Sequence, residues 1–500
     1  MNSGIFTLLT LTLPILAVLI IYFIPRTALK TLYVIANVFF ALDLLLALLL
    51  WYLYVPESSS LQLRYQYAWL PDFGISFSLG LDGLSLPLVL LTSFLTLLVG
   101  IHSRSVSTGL KGYLICVLLL QAAMLGAFLA MDALIFYMFW ESMLVPMFFL
   151  IGVWGSSRRV YAAMKFFIYT AVGGLPLLAG ILYLAYLCLQ QQNQVSFAIT
   201  DWYNLNLSPN EQVVLLAIFT FAFAIKIPAF PLHTWLPDAH VEAPAGASVI
   251  LAGVLLKLGL YGLIRFCLPI FTEAFAGYAW VLVILATLGI VYGAFMAWVQ
   301  KDMKKLIAYS SVSHLGFCLL GVASLTTEGV NGAILQMVNH GITTGALFFI
   351  VGALYERYHT RLIADYGGLA GTLPRLSMFT LIFTLGAIGL PLTNGFVGEF
   401  LIIVGAFEWQ AVAGLVSVSG VILGAIYMLS WYRRCFYGTP ANTLAQKNDF
   451  VLREYLVFIP LAILVFVLGV YPNLILSRTT ATAESYLKDF DRVLQERKMP

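Results

Sequence analysis

Residues 245–267 read AGASVILAGVLLKLGLYGLIRFC. As a helix rising 1.5 Å per residue, such a run is about 34 Å long, enough to cross the roughly 30 Å hydrocarbon core of a bilayer. Lys257 stands near its middle, too deep to snorkel to either interface. A charge at that depth is costly, so the run reads as a membrane helix whose lysine serves a purpose. The flanking Gly253, Gly259 and Gly262 permit close helix approach.

The same character extends outward through the chain. Of its 500 residues, 61% are hydrophobic and only 10% charged, and the mean hydropathy is +0.95. An ordinary soluble domain is about 25% charged. A water-exposed surface cannot be covered with so few charges, which excludes a cytosolic enzyme, a nucleic-acid binder and a disordered chain. The apolar runs are continuous rather than alternating, which argues against a β-barrel. Fourteen runs are long enough to span, at about 5–24, 31–54, 83–101, 112–130, 132–152, 161–189, 211–229, 245–267, 278–299, 304–323, 330–355, 375–407, 411–432 and 452–472. The fold class is therefore an all-α polytopic membrane protein. The first run reads as a span, too long for a cleavable leader and followed by Arg26.

Loop charge sets the orientation. Arg26, Lys30, Arg104, Lys111, Arg158, Arg159, Lys301, Lys304, Lys305, Arg357, Arg361, Arg375, Arg433, Arg434, Lys447 and Arg453 read as loops on one side, against Arg64 and Arg265 on the other. A mixed-charge tail follows Tyr471. The basic side should be cytoplasmic, with both termini periplasmic.

Two spans look broken. The seventh runs into Lys226-Ile-Pro228-Ala-Phe-Pro231, and the twelfth into Gly389-Leu-Pro391-Leu-Thr-Asn394-Gly395. Proline removes a helical hydrogen bond, and such breaks at membrane depth line protein or a wet cavity. Two breaks five spans apart are the mark of an internal repeat in a transporter.

Besides Lys257, three charges inside spans stand out: Glu141, Lys226 and Glu399. Glu141 lies nine residues beyond Asp132, about 13 Å into the core. Lys226 sits at the first break, where a nearby carboxylate would favour its charged form and burial would oppose it. Glu399 follows the second break. His314 and His340 lie on adjacent spans between Lys257 and Glu399, and imidazole is the natural proton carrier near neutral pH. Structural carboxylates, a snorkelling Lys226 and satisfied core histidines are the bland alternatives. Buried ions rarely add net stability, which favours function. His233 and His240, near the first break, read as capping or interface groups. The five cysteines are scattered without a CxxC pair, and no glycine-rich nucleotide loop occurs, so neither metal, cluster nor nucleotide binding is indicated.

At these residues a resemblance becomes specific. The chain resembles the antiporter-like membrane subunits of respiratory complex I, within them the M type. The matching segments are Phe139-Trp-Glu141 with Leu144-Val-Pro146; Lys165-Phe-Phe-Ile-Tyr169-Thr; Lys226-Ile-Pro228 through Pro231-Leu-His-Thr-Trp-Leu-Pro-Asp-Ala-His240; Leu251-Ala-Gly-Val-Leu-Leu-Lys257; Asp302 through His314; and Asn394-Gly-Phe-Val-Gly-Glu399-Phe. The M type is indicated by Glu399, where related subunits carry lysine, and by the loop Tyr355-Glu-Arg357-Tyr-His359-Thr-Arg361. One departure is Ala243-Pro-Ala-Gly-Ala-Ser248, where many relatives read Ala-Pro-Thr-Ala-Gly-Ser.

The resemblance implies 14 helices with discontinuous helices seven and twelve. It implies three N-terminal helices (1–111), two inverted five-helix repeats (112–267 and 278–435), and a last helix with its tail (452–500). It also implies that Glu141 and Lys226 form a coupling pair, that Lys257 is the central proton carrier, that Glu399 passes protons outward, and that His314 and His340 link the last two. The implied function is proton translocation in an NADH:quinone oxidoreductase of the bacterial inner membrane. No cofactor or metal is expected on this chain; flavin mononucleotide and iron–sulfur clusters would sit on other subunits. The implied partners are L-type and N-type antiporter-like neighbours, the lipid bilayer and protons, with no nucleic acid. Membership of a multisubunit Na⁺/H⁺ antiporter, or of a photosynthetic-type complex fed by ferredoxin, is the alternative.

Overall fold

The computed structural model describes residues 3–106, 108–439 and 448–498. Among these residues, thirteen helices are long and apolar enough to cross a membrane: Gly4–Phe23, Leu29–Leu53, Ser85–Ser105, Leu110–Leu129, Ala133–Trp154, Arg159–Gln192, Pro209–Lys226, Ala245–Ile270, Thr272–Trp298, Met303–Ala323, Thr327–Tyr358, Ala411–Phe436 and Leu452–Val470. The fourteenth span is the broken twelfth, formed by Pro374–Ala387 and Asn394–Trp409. Spans eight and eleven are buried throughout their most apolar stretches and run through the interior of the bundle. Spans one, two, thirteen and fourteen expose Leu, Val, Ile and Phe side chains at its edge, as expected where the surrounding solvent is lipid.

The breaks fall where proline and glycine dictate. Span seven stops at Lys226 and restarts as the short helix Trp235–Glu242. Span twelve stops after Ala387 and restarts at Asn394. Between them Gly389 adopts φ +66°, a left-handed conformation that glycine takes without strain.

A local device recurs at opposite ends of the bundle. Asp132 caps span five, its side chain accepting from the amides of Leu134 and Ile135. Asp302 caps span ten in the same way, through Lys304 and Lys305. Each capping residue forms an isolated antiparallel bridge to the segment beyond the next long span, Asp132 to Ala198 and Asp302 to Leu362. Those long spans, Arg159–Gln192 and Thr327–Tyr358, both end in a left-handed residue, Asn193 (φ 55°) and His359 (φ 54°). Both are followed by a broken span. Spans five and ten begin on opposite faces of the bundle, because five spans separate them.

Two elements depart from the sequence reading. Gln62–Leu70 (β1) and Ile75–Leu81 (β2) form an antiparallel hairpin before span three, with Leu70 opposite Ile75 and Gln62 opposite Leu81. The tail after Tyr471 is the helix Asn473–Lys498. It buries Ile475, Thr479, Ala483, Leu487 and Phe490 on one face, at helical spacing.

Two charges assigned to loops are not loop charges. Arg265 lies within span eight, 2% exposed, and binds the carboxylate of Asp82 through two nitrogens at 2.6 and 2.8 Å. Lys304, in the first turn of span ten, is 5% exposed and donates to the Ala243 carbonyl. Both stand near span ends in the sequence, where a one-turn difference in a boundary moves a residue from water to protein. Lys447 lies outside the described residues.

Candidate functional site

Span eight is not a regular helix. Leu251–Leu255 and Leu263–Cys267 are π-helical. A π turn widens the coil by one residue and frees a backbone carbonyl, a feature frequent at functional sites. The Lys257 ammonium uses the opening by donating to the carbonyl of Ala252, and its second contact is His340 Nδ1 at 2.8 Å. His340 is carried by span eleven, and the two backbones meet on glycine. A Cβ at Gly341 would lie 2.8 Å from the Gly253 carbonyl oxygen. Any larger residue would push Lys257 and His340 apart.

The His340 ring lies 5.8 Å, centroid to centroid, from the ring of His314 on span ten. His314 Nδ1 is 2.9 Å from Glu399 Oε1, and Gln336 Nε2 donates to the same oxygen at 3.0 Å. Gly389 faces the other oxygen: a Cβ there would come within 2.9 Å of Oε2. The restart of span twelve is tied beside the row, because Asn339 donates to the Asn394 carbonyl at 2.6 Å and Asn394 donates back to that of Asn339 at 3.2 Å. Lys257, His340, His314 and Glu399 therefore form one buried file. His340 Nε2 is buried without a hydrogen-bond partner. The file thus holds a proton donor, two imidazoles with an unused nitrogen on the first, and a carboxylate at its end.

Glu141 and Lys226 form a second, separate group. Pro146 removes the helical bond to the Ser142 carbonyl, and span five makes a turn at Met143, just beyond Glu141. The carboxylate packs on span six at Gly174, where a Cβ would meet Oε1 at 1.8 Å. Lys226 is the last residue of the first half of span seven, 1% exposed. Its ammonium lies 4.6 Å from the ring centroid of Trp140, the residue before Glu141. It forms no hydrogen bond, and Glu141 Oε1 is likewise unpartnered. The two groups are neighbours but not an ion pair. No hydrogen bond joins Lys226 to Lys257 among the described residues.

Sequence reasoning misread two histidines. His240 is fully buried, stacked on Phe348 with centroids 4.4 Å apart. His233 is 2% exposed among Phe230, Tyr292 and Tyr309. Both rings are buried inside the bundle, so neither is an interface group. Sequence reasoning also missed Asp43, which is fully buried in span two. Its signal was legible, as a lone acid inside an apolar run of 25 residues.

The family model described as NADH:quinone oxidoreductase/Mrp antiporter, TM, matches residues 130–424. The NADH-quinone oxidoreductase subunit M of Rickettsia conorii is 44% identical over 427 residues, covering 85% of this chain and 86% of that protein. The NADH-ubiquinone oxidoreductase chain 4 of Marchantia polymorpha is 40% identical over 469 residues, covering 93% of each. Among solved structures, a chain of respiratory complex I from Thermus thermophilus with bound NADH matches with a TM-score of 0.89 at 31% identity, over 97% of this chain and 99% of that one. A chain of the Mrp complex from Dietzia sp. DQ12-45-1b matches with a TM-score of 0.86 at 22% identity, over 98% of this chain and 99% of that one, and shares the fold.

Proposed function

The chain belongs to the family of NADH:quinone oxidoreductase and Mrp antiporter transmembrane subunits, and on that premise we propose that it is a proton-translocating subunit in the membrane arm of an NADH:quinone oxidoreductase. The observation that carries this reading is the buried file from Lys257 through His340 and His314 to Glu399. Its contacts of 2.8 and 2.9 Å at either end are hydrogen-bond distances. A neutral imidazole accepts a proton on one nitrogen and releases one from the other, so two in series carry a proton without moving their rings far.

In this reading Glu141 and Lys226 form the coupling pair. A carboxylate close to Lys226 favours its ammonium form, and withdrawal of the carboxylate favours release. The released proton, or its charge, acts on Lys257. The unpartnered Nζ of Lys226 and Oε1 of Glu141 support this, since neither group is locked in a closed ion pair. The repeats are read as residues 112–267 and 278–435, supported by the paired caps at Asp132 and Asp302. Lys226 and Glu399 each lie beside the break of a broken span, Lys226 at the end of its first half and Glu399 early in its second.

Excess lysine and arginine on one face supports an orientation with that face cytoplasmic and both termini periplasmic. Quinone reduction, flavin and iron–sulfur clusters would reside on other subunits, and the lateral neighbours would be L-type and N-type relatives. Extraction of the membrane in mild detergent, followed by identification of the co-purifying chains, tests the assignment. Flavin and iron–sulfur subunits that oxidise NADH are the expected result. A set of antiporter subunits without redox partners, or a ferredoxin-dependent set, would overturn it.

A further inference from the structure

Asp43 is a buried acid that the proton-translocation reading does not use. It lies 14 residues into Leu29–Leu53 and 10 from its end, about 21 and 15 Å from the two ends. It belongs to the stripe Leu32, Ala36, Phe40, Asp43, Ala47 and Leu50 that span two turns inward. Ser93 of span three donates to its Oδ2 at 2.7 Å, and the side-chain amide of Gln121 of span four meets the same oxygen at 2.6 Å. Asp43 Oδ1 and Gln121 Oε1 are buried without partners.

No cation answers the carboxyl. Span one has no lysine or arginine, span three ends in His102, and span four begins with Lys111. Lys111 is committed elsewhere, donating to the Tyr22 and Ile24 carbonyls at 2.7 Å each. The remaining titratable groups on the packed helices are Tyr22 on span one, Tyr33, Tyr52 and Lys30 on span two itself, Tyr113 and Cys116 on span four, and Arg478 of the C-terminal helix, whose guanidinium lies over Trp51 of span two. None hydrogen-bonds or ion-pairs with Asp43 among the described residues. A carboxylate here would be an unpaired ion at bilayer depth, whereas a neutral acid would be an ordinary hydrogen-bonding group. The 2.6 Å contact with Gln121 suits O–H···O better than N–H···O spacing. The two ends of an amide have the same shape, so Gln121 can turn its carbonyl toward Asp43.

We propose that Asp43 is carried as the neutral acid, donating its proton to the side-chain carbonyl of Gln121, and that with Ser93 it clamps span two onto spans three and four, outside the proton file. The clamp lies where it is needed, since most of the rest of span two faces outward.

The test is made in the assembled complex with D43N and D43A. D43N keeps the shape and the hydrogen bonds of a neutral acid. It should assemble and melt as wild type and pump the same number of protons per electron. D43A removes the clamp. Assembled complex should fall at least about fivefold, because buried partners are left unpaired, and the fraction that assembles should pump normally. Three results would overturn the proposal. Assembled D43N that no longer pumps would make Asp43 a working proton carrier. D43N melting well above wild type would mean that a buried anion had been removed. D43A assembling as well as wild type would mean that there is no clamp.

Discussion

Gly174 decides where the Glu141 carboxylate can rest. A Cβ at that position would overlap Oε1, so Gly174→Val must displace the carboxylate from the neighbourhood of Lys226. A displacement of about an ångström can cost one to two orders of magnitude in a positioned reaction. NADH-driven proton pumping in Gly174→Val membranes should fall about tenfold, matching Glu141→Ala, with the complex assembled. Pumping at wild-type level would show that this carboxylate does not need its seat. At this scale the sequence was informative about depth and uninformative about direction. Glu141, Lys226, Lys257 and Glu399 stood out because an ion in an apolar run has no cheap explanation. His233 and His240 did not, because they follow a proline-rich break that reads as a loop, and only packing against Phe230, Tyr292 and Phe348 shows them buried. Lys304 was hidden for a similar reason, standing between Lys301 and Lys305 at a span end.

At the level of elements, apolar run length was enough to find all fourteen spans, and proline and glycine marked both breaks. What run length cannot register is structure outside the bilayer. The hairpin at Gln62–Leu81 carries its own signal, alternation of Leu63, Tyr65, Tyr67 and Trp69 before the turn at Pro71–Gly74. The C-terminal helix Asn473–Lys498 hides because its polar face dominates its composition. It is fastened where Arg265 holds Asp82, with the Tyr486 hydroxyl 2.5 Å from the guanidinium. Arg265→Gln should lower stability by about 3–5 kcal/mol by leaving Asp82 as a buried unpaired charge, read as a drop in the melting temperature of the purified complex. A melting temperature unchanged from wild type would show that the pair fastens nothing. Burial alone would raise the Asp82 carboxyl, but the Arg265 guanidinium outweighs it and holds the group below its ordinary value. The sign follows: a depressed acid contributes stability above the ordinary aspartate range, near pH 4, and loses it as the pH falls below that range. Asp82→Asn should therefore remove an acid-side loss of stability. An identical acid limb in the variant would contradict this.

Over the whole molecule, the two broken spans mark a relation that the matched caps at Asp132 and Asp302, their bridges to Ala198 and Leu362, and the left-handed ends at Asn193 and His359 repeat in detail. Weak similarity between the halves concealed this in the sequence, because backbone devices of this kind constrain few side chains. Lys226 and Glu399 lie beside the two breaks, one in a detached group with Glu141 and the other at the end of the file with His340 and His314. Lys257 stands at one end of that file, and its only side-chain partner in the hydrogen-bond network of the described residues is His340. The most direct test is therefore the proton-to-electron ratio of the complex carrying Lys257→Gln, measured in sealed vesicles during NADH oxidation. The account predicts an assembled complex that still oxidises NADH while translocating markedly fewer protons per electron. An assembled complex with the wild-type ratio would contradict it.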